Sequence, residues 1–156
     1  MVVATGSISV SVGGLAGSSH PVFRRKRPIH PALSASDMAA AVDADELQTL
    51  DRLATPIRVA AGEEILRKDE LGRECFVVID GQFEVQRDDT TITVGPGSII
   101  GELALLTRKP RNASVTATTD ASVYVLTPPE FGTMLATCPD IARYVLQGAV
   151  RRATAA

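Results

Sequence analysis

Two histidines and two cysteines in 156 residues leave little material for a zinc centre or a nucleophilic triad. His20 and His30 both lie near the N-terminus, away from Ser114 and Cys75, the nearest nucleophiles. Cys75 sits inside the apolar run "ECFVVID" and reads as a buried free thiol rather than half of a disulfide. No apolar run approaches the roughly 18–20 residues that a membrane-spanning helix needs. No charged n-region precedes an apolar core at the N-terminus, so a secretory signal is not expected. The expected setting is soluble, reducing and cytoplasmic. A glycine-rich nucleotide loop of the kinase type is also missing. With 16 basic and 18 acidic side chains the net charge is only −2, which argues against a general nucleic-acid binder. No catalytic residue, metal ligand or cofactor is expected from such an inventory.

The charge that is present is unevenly placed. Residues 1–36 carry Arg24, Arg25, Lys26 and Arg27 and no acid, which leaves −6 on the remaining 120 residues. That segment is rich in Ser, Gly, Ala and Pro and has no sustained period, so it is expected to be a disordered basic tail. Its "ISVSV" alternates but is too short to assign as a strand. A single domain is expected over 37–152, followed by a short tail at 153–156. Order should begin near Ser36 or Asp37, both good helix caps. Met38, Val42, Leu47, Leu50 and Leu53 then fall at mostly helical spacing, as one helix or two broken near Asp43.

From Ile57 the period changes to two. Around seven short strands rich in Val, Ile, Thr and Phe follow, punctuated by Gly62, Gly72, Asp80-Gly81, Asp88-Asp89 and Gly95-Pro96-Gly97. Such spacing means a sandwich or barrel-like roll, and "DG" between two alternating runs predicts a hairpin. Two helices close the sequence, "PPEFGTMLATCP" and "PDIARYVLQGAVRR". Phe131, Met134, Ile141, Val145 and Leu146 are their expected core residues. Arg143, Arg151 and Arg152 are expected to complement the last helix at its C-terminal end.

One stretch interrupts the strands. "GELALLTRKPRNASV", Gly101 to Val115, holds about one and a half helical turns, a proline and one returning arginine. Gly101 lets backbone approach a ligand closely. The N–H groups at the start of the turn favour an anion, although Glu102 is placed to satisfy them itself. Arg111 can grip a phosphate with its planar fork. Spacing alone leaves two readings open: a ligand between Glu102 and Arg111, or a structural pair. Arg108 and Lys109 read as solvated loop tips.

The segment "GPGSIIGELALLTRKPRNASVTATTDASVYVL" resembles the phosphate-binding cassette of cyclic-nucleotide-binding domains, found in protein kinase A, cyclic-nucleotide-gated channels and the bacterial catabolite activators. The resemblance continues upstream through "AAGEEILRKDELGRECFVVIDGQFEV" and covers roughly residues 45–150. It implies a mainly β fold with flanking helices, a double-stranded β-helix or jelly-roll-like β-roll. It implies that Glu102 accepts from the ribose 2′-hydroxyl, that amides around Gly101, Leu103 and Ala104 line the ribose and phosphate, and that Arg111 neutralises the cyclic phosphate beside Asn112 and Ala113. For Tyr144 two readings stay open: a lid over the base, or part of a final helix that is simply packed on the roll as core.

The expected ligand is cAMP or cGMP. Asn112 stands where relatives commonly carry a small residue or threonine, and three readings stay open: its amide donates to a phosphate oxygen, its carbonyl accepts from a guanine 2-amino group, or it points to solvent. Adenine is nevertheless favoured, because cAMP is the commoner ligand. The expected function is a regulatory module that converts occupancy into a helix rearrangement, with the same fold and an empty pocket as the alternative. The effector protein is not written in the sequence. No helix-turn-helix or other DNA-binding domain is expected after the last helix, and that helix offers a surface for a homodimer.

Overall fold

The computed structural model describes residues 27–154. Its eight strands are β1 (Thr55–Val59), β2 (Glu64–Leu66), β3 (Cys75–Asp80), β4 (Phe83–Arg87), β5 (Thr90–Val94), β6 (Ile99–Ile100), β7 (Ser114–Ala117) and β8 (Ala121–Leu126). They form two antiparallel four-stranded sheets, one ordered β1-β8-β3-β6 and the other β2-β7-β4-β5. This is the mainly β roll with flanking helices that the sequence predicts.

The helices lie on the first sheet, and that makes the molecule three layers. Cys75, Val77 and Ile79 of β3 face a cluster shared with the helices, whereas Phe76 and Val78 face a second cluster between the sheets. A strand covered on both faces has no solvent side, so "CFVVI" reads as an unbroken apolar run. β8 divides in the same way: Tyr124 and Leu126 join the helical cluster, Ala121 and Val123 the inter-sheet one. Each fully covered valine or leucine contributes roughly 1.5–3 kcal/mol.

The helices are α1 (Pro31–Ser34), α2 (Asp37–Ala41), α3 (Ala44–Leu53), α4 (Glu102–Thr107), α5 (Pro128–Thr137) and α6 (Pro139–Thr154). The break near Asp43 is real, and Asp43 caps α3 by accepting from the amide of Asp45 at 2.8 Å. Order begins earlier than the expected Ser36–Asp37 start. Leu33 of α1 is fully buried in the helical cluster, and Arg27 pairs with Asp51 at 2.7 Å. The rest of the expected basic tail, "ISVSV" included, lies outside the described residues. α6 also runs past the expected end at 152.

Two further expectations are corrected. Asp80-Gly81 does not turn a hairpin: β3 and β4 belong to different sheets and share no pairing. The chain crosses between layers there, because β3 is buried on both faces and β4 must cover it from the other side. The hairpin sits instead at Asp88-Asp89, where Arg87 pairs with Thr90 and Asp88 takes a φ of 44°. Leu146 is not core. It is 48% exposed, on the stripe of α6 beside the one that buries Ile141 and Val145.

The crossing at Gly81 is tight. Its φ is +92°, and a Cβ there would lie 2.7 Å from both Ala121 Cα and the Asp120 carbonyl oxygen. Neither atom can give way without moving backbone. Gly81→Ala is expected to cost about 2–4 kcal/mol, read as a lowered urea midpoint. Gly62→Ala is the control, since its φ is +90° but a Cβ would meet nothing within 4 Å. Equal losses for the two would show that the crossing is not sterically closed.

Candidate functional site

The site grows from a break in β-structure. β6 ends at Ile100, and Gly101 takes a left-handed φ of +87° that starts α4. Glu102, the first residue of that helix, is thereby turned inward and is only 2% exposed. One of its oxygens, Oε2, is buried and accepts no hydrogen bond, although Glu102 has other interactions. α4 closes at Arg108, whose φ of 57° reverses the chain. Arg108 and Lys109 are exposed, as expected of loop tips.

The returning segment is held by backbone. The Arg111 amide donates to the Glu70 carbonyl at 2.8 Å, and the Arg111 carbonyl accepts from the Asp69 amide at 2.9 Å. Leu71 and Pro110 form an adjacent bridge. This clamp points the Arg111 side chain inward, where it is 7% exposed. Its Nη1 donates to the Gly101 carbonyl at 2.9 Å and its Nη2 to the Glu74 carbonyl at 2.6 Å. Those bonds use two of the five N–H groups of a guanidinium and fix its plane.

Burial lowers the Arg111 pKa from its ordinary value, opposed by Cys75 and Glu74 nearby. The group remains a cation at neutral pH. The Cys75 thiol beside it is pushed up to about 12 by burial, with Arg111 acting the other way. It is therefore a protonated core thiol and no nucleophile, and Cys138 is likewise free and buried.

Room for the guanidinium is made by two glycines. A Cβ at Gly101 would lie 2.5 Å from Arg111 Nη1. One at Gly72 would lie 2.7 Å from Ala104 Cβ and 3.0 Å from Arg111 Cζ. Gly72 read in the sequence only as a strand break; nothing in the linear pattern tied it to Arg111, 39 positions later.

Glu102 and Arg111 are the two charged side chains that are buried among the described residues, and both line one cavity of about 240 Å³. Gly101, Leu103, Ala104, Asn112, Ala113 and Tyr144 line it as well, so every expected site residue meets there. Asn112 is exposed at the rim. The far wall is apolar, from Leu66, Val85, Ile92, Val94 and Val115 of the second sheet. α6 forms the roof through Tyr144, Val145, Gly148 and Arg151. Tyr144 is half-buried, and its hydroxyl donates to the Gly97 carbonyl at 3.2 Å; burial chiefly raises its pKa. Arg151 is thus at the cavity rather than only at a helix end. Arg143 pairs with Asp140 at 3.2 Å, in the first turn of α6 and not the last.

Missing from the expected set are Arg87 and the apolar wall. Strand alternation was the signal that could have found them, because Phe83, Val85 and Arg87 share one face of β4. Among the described residues no group of three or more His, Cys, Asp or Glu side chains could hold a metal, and no helix is long and apolar enough to cross a membrane.

A cavity with one buried cation, one buried carboxylate and an apolar wall suits a ligand with a single anionic group, a hydroxyl donor and a flat apolar face. Comparison with known proteins agrees with that shape. A cyclic nucleotide-gated potassium channel of Rhizobium etli is 34% identical over 101 residues, covering 65% of this chain and 28% of the channel. The cGMP-dependent protein kinase egl-4 of Caenorhabditis briggsae is 31% identical over 102 residues, covering 65% of this chain and 14% of the kinase. This chain therefore spans less than a third of either relative. The solved structure of PKAR CBD2 with Sp-2Cl-cAMPS bound aligns with a TM-score of 0.65 at 27% identity, over 78% of this chain and 84% of that one. The model of the cyclic nucleotide-binding domain matches residues 56–138, more than half of the sequence, and the chain belongs to that family.

Proposed function

We propose that this chain is a regulatory module that binds a 3′,5′-cyclic nucleoside monophosphate in the cavity under α6. One observation carries the reading: the two buried charged side chains, of opposite sign, line the same cavity. A cyclic phosphodiester carries one negative charge, which the unused N–H groups of Arg111 would balance. The ribose 2′-hydroxyl is a donor, and the Glu102 carboxylate is a strong acceptor for it. The amides of Leu103 and Ala104 would complete the sugar and phosphate pocket, with Ala113 and Asn112 at its mouth. Occupancy would be signalled by α6, which forms the roof and would touch a bound ligand directly. A ligand shifts that helix only as far as it binds one arrangement better than the other.

The setting we propose is cytoplasmic, where both nucleotides arise. The effector is a partner protein or a second copy. Leu146 and Val150, one turn apart on the outer face of α6 and 48% and 61% exposed, favour a homodimer through that helix. The abundance of cAMP is the one argument for adenine, and it does not come from the cavity.

Calorimetric titration with cAMP and cGMP tests the site. Heat of binding is expected with at least one of them, and no heat at millimolar concentrations of both leaves a scaffold of the same fold. Glu102→Gln is expected to weaken binding by about 10–100-fold, the range for a hydrogen bond to a charged acceptor. Removing the 2′-hydroxyl from the nucleotide should cost wild type the same and cost the variant little. Independent, additive losses would place Glu102 away from the ribose.

A further inference from the structure

The apolar wall opposite the phosphate site ends in a positive charge. Val85 and Ile92 are paired across β4 and β5, and Arg87 follows Val85 on the same face, opposite Thr90. Arg87 is half-buried and lines the cavity. Its guanidinium makes no hydrogen bond or ion pair with a described residue. The neighbouring carboxylate of Asp88 is taken by Lys68 at 2.7 Å. Of the other arginines at the cavity, Arg111 gives two of its five N–H groups to the Gly101 and Glu74 carbonyls, and Arg151 has interactions of its own. The N–H donors of Arg87 are therefore available to a group bound in the cavity.

Its position limits what that ligand group is. The single charge of a cyclic monophosphate is already matched by Arg111, on the cassette side of the cavity. Arg87 belongs to the other side, at the rim of the wall on which a purine face would lie. What it can meet there is an edge of the base. The Hoogsteen edge of guanine presents two acceptors, O6 and N7, which match the two-pronged guanidinium; adenine presents N7 beside the N6 amino donor, which opposes it.

Building on the proposed cyclic-nucleotide site, we infer that Arg87 reads the O6/N7 edge of the base and makes this chain prefer cGMP to cAMP. The 2-amino group of guanine is then secondary, and Asn112 at the exposed mouth does not set the preference.

Titrations of wild type, Arg87→Ala and Arg87→Gln with cGMP, cAMP and cyclic IMP test this directly. Cyclic IMP keeps O6 and N7 but lacks the 2-amino group. Wild type is expected to bind cGMP and cyclic IMP about equally, and each at least tenfold more tightly than cAMP. Arg87→Ala should lose about tenfold or more for cGMP and cyclic IMP while cAMP is unchanged. Arg87→Gln should turn the preference towards cAMP, because a carboxamide pairs with adenine N6 and N7. Arg87 sits at the end of a hairpin with no side-chain bonds to lose, so both variants are expected to fold, as an unchanged urea midpoint will show. Equal losses for all three nucleotides would make Arg87 a phosphate or packing residue and overturn the inference while leaving the site standing. Loss of the preference in cyclic IMP alone would transfer it to the 2-amino group and also overturn it. Failure of all three to bind wild type removes the site itself, and the inference with it.

Discussion

Arg111→Glu is expected to abolish nucleotide binding, with a loss of roughly 100-fold or more in affinity. Three effects act together. The cation that balances the cyclic phosphate is gone. A carboxylate takes its place in the cavity that Glu102 already lines, so a bound phosphate would face like charge. The carbonyls of Gly101 and Glu74 lose their donors, which loosens the turn that presents the ribose pocket. Losing those partners also costs stability, about 1–3 kcal/mol for each carbonyl that stays buried. Arg111→Lys separates binding from folding: it keeps the charge but not the fork, and is expected to bind about tenfold more weakly than wild type while melting near it. Calorimetry beside urea unfolding makes the measurement. Retained affinity in a folded Arg111→Glu variant would remove the phosphate role altogether.

Gly101→Ala is expected to damage both binding and stability without touching a charge. A methyl at this position would lie 2.5 Å from Arg111 Nη1 and 3.2 Å from the Glu74 carbonyl oxygen. Its φ of +87° is a further strain of about 1–3 kcal/mol for a residue with a Cβ. The guanidinium has to retreat, and its two carbonyl bonds go with it. We expect a lowered urea midpoint and an affinity loss of about tenfold or more for either nucleotide. Because the displaced group serves the phosphate, the ratio of cGMP to cAMP affinity should not change. A changed ratio with intact affinity for one nucleotide would mean that Gly101 acts on the base instead.

How far the linear pattern carries is clearest at particular positions. The change of period at Ile57 marks the start of the roll because alternating burial is a local property of a strand. Spacing alone brings Glu102 and Arg111 near each other and leaves a structural pair open; their ligand roles come from the resemblance to cyclic-nucleotide-binding domains. Gly81 misleads because Asp-Gly has the same local preference whether the strands beside it pair or separate into two sheets. What decides is that β3 is covered on both faces, and only the helical cluster shows that. Helical spacing points Leu146 inward, yet α6 rests on the roll along the Ile141–Val145 line and leaves the neighbouring stripe open. Arg87 and Gly72 are long-range features. Each matters through a residue distant in sequence, and no periodicity reports such meetings.

The starts of α3 and α6 are tied to each other. Glu46 accepts from the amides of Asp140 and Ile141 at 3.1 and 2.9 Å, and Asp140 in turn accepts from the Asp43 amide at 3.1 Å. Each helix thus turns a carboxylate of its own first turn onto backbone amides at the start of the other. Were α6 to tilt as proposed, this exchange would be its fulcrum. A 16-residue helix is about 24 Å long, so a tilt of about 10° around that end would carry its far tip about 4 Å and its origin hardly at all. Travel would be greatest beyond Gly148, and a receiver of the signal gains most by gripping α6 near its last turns.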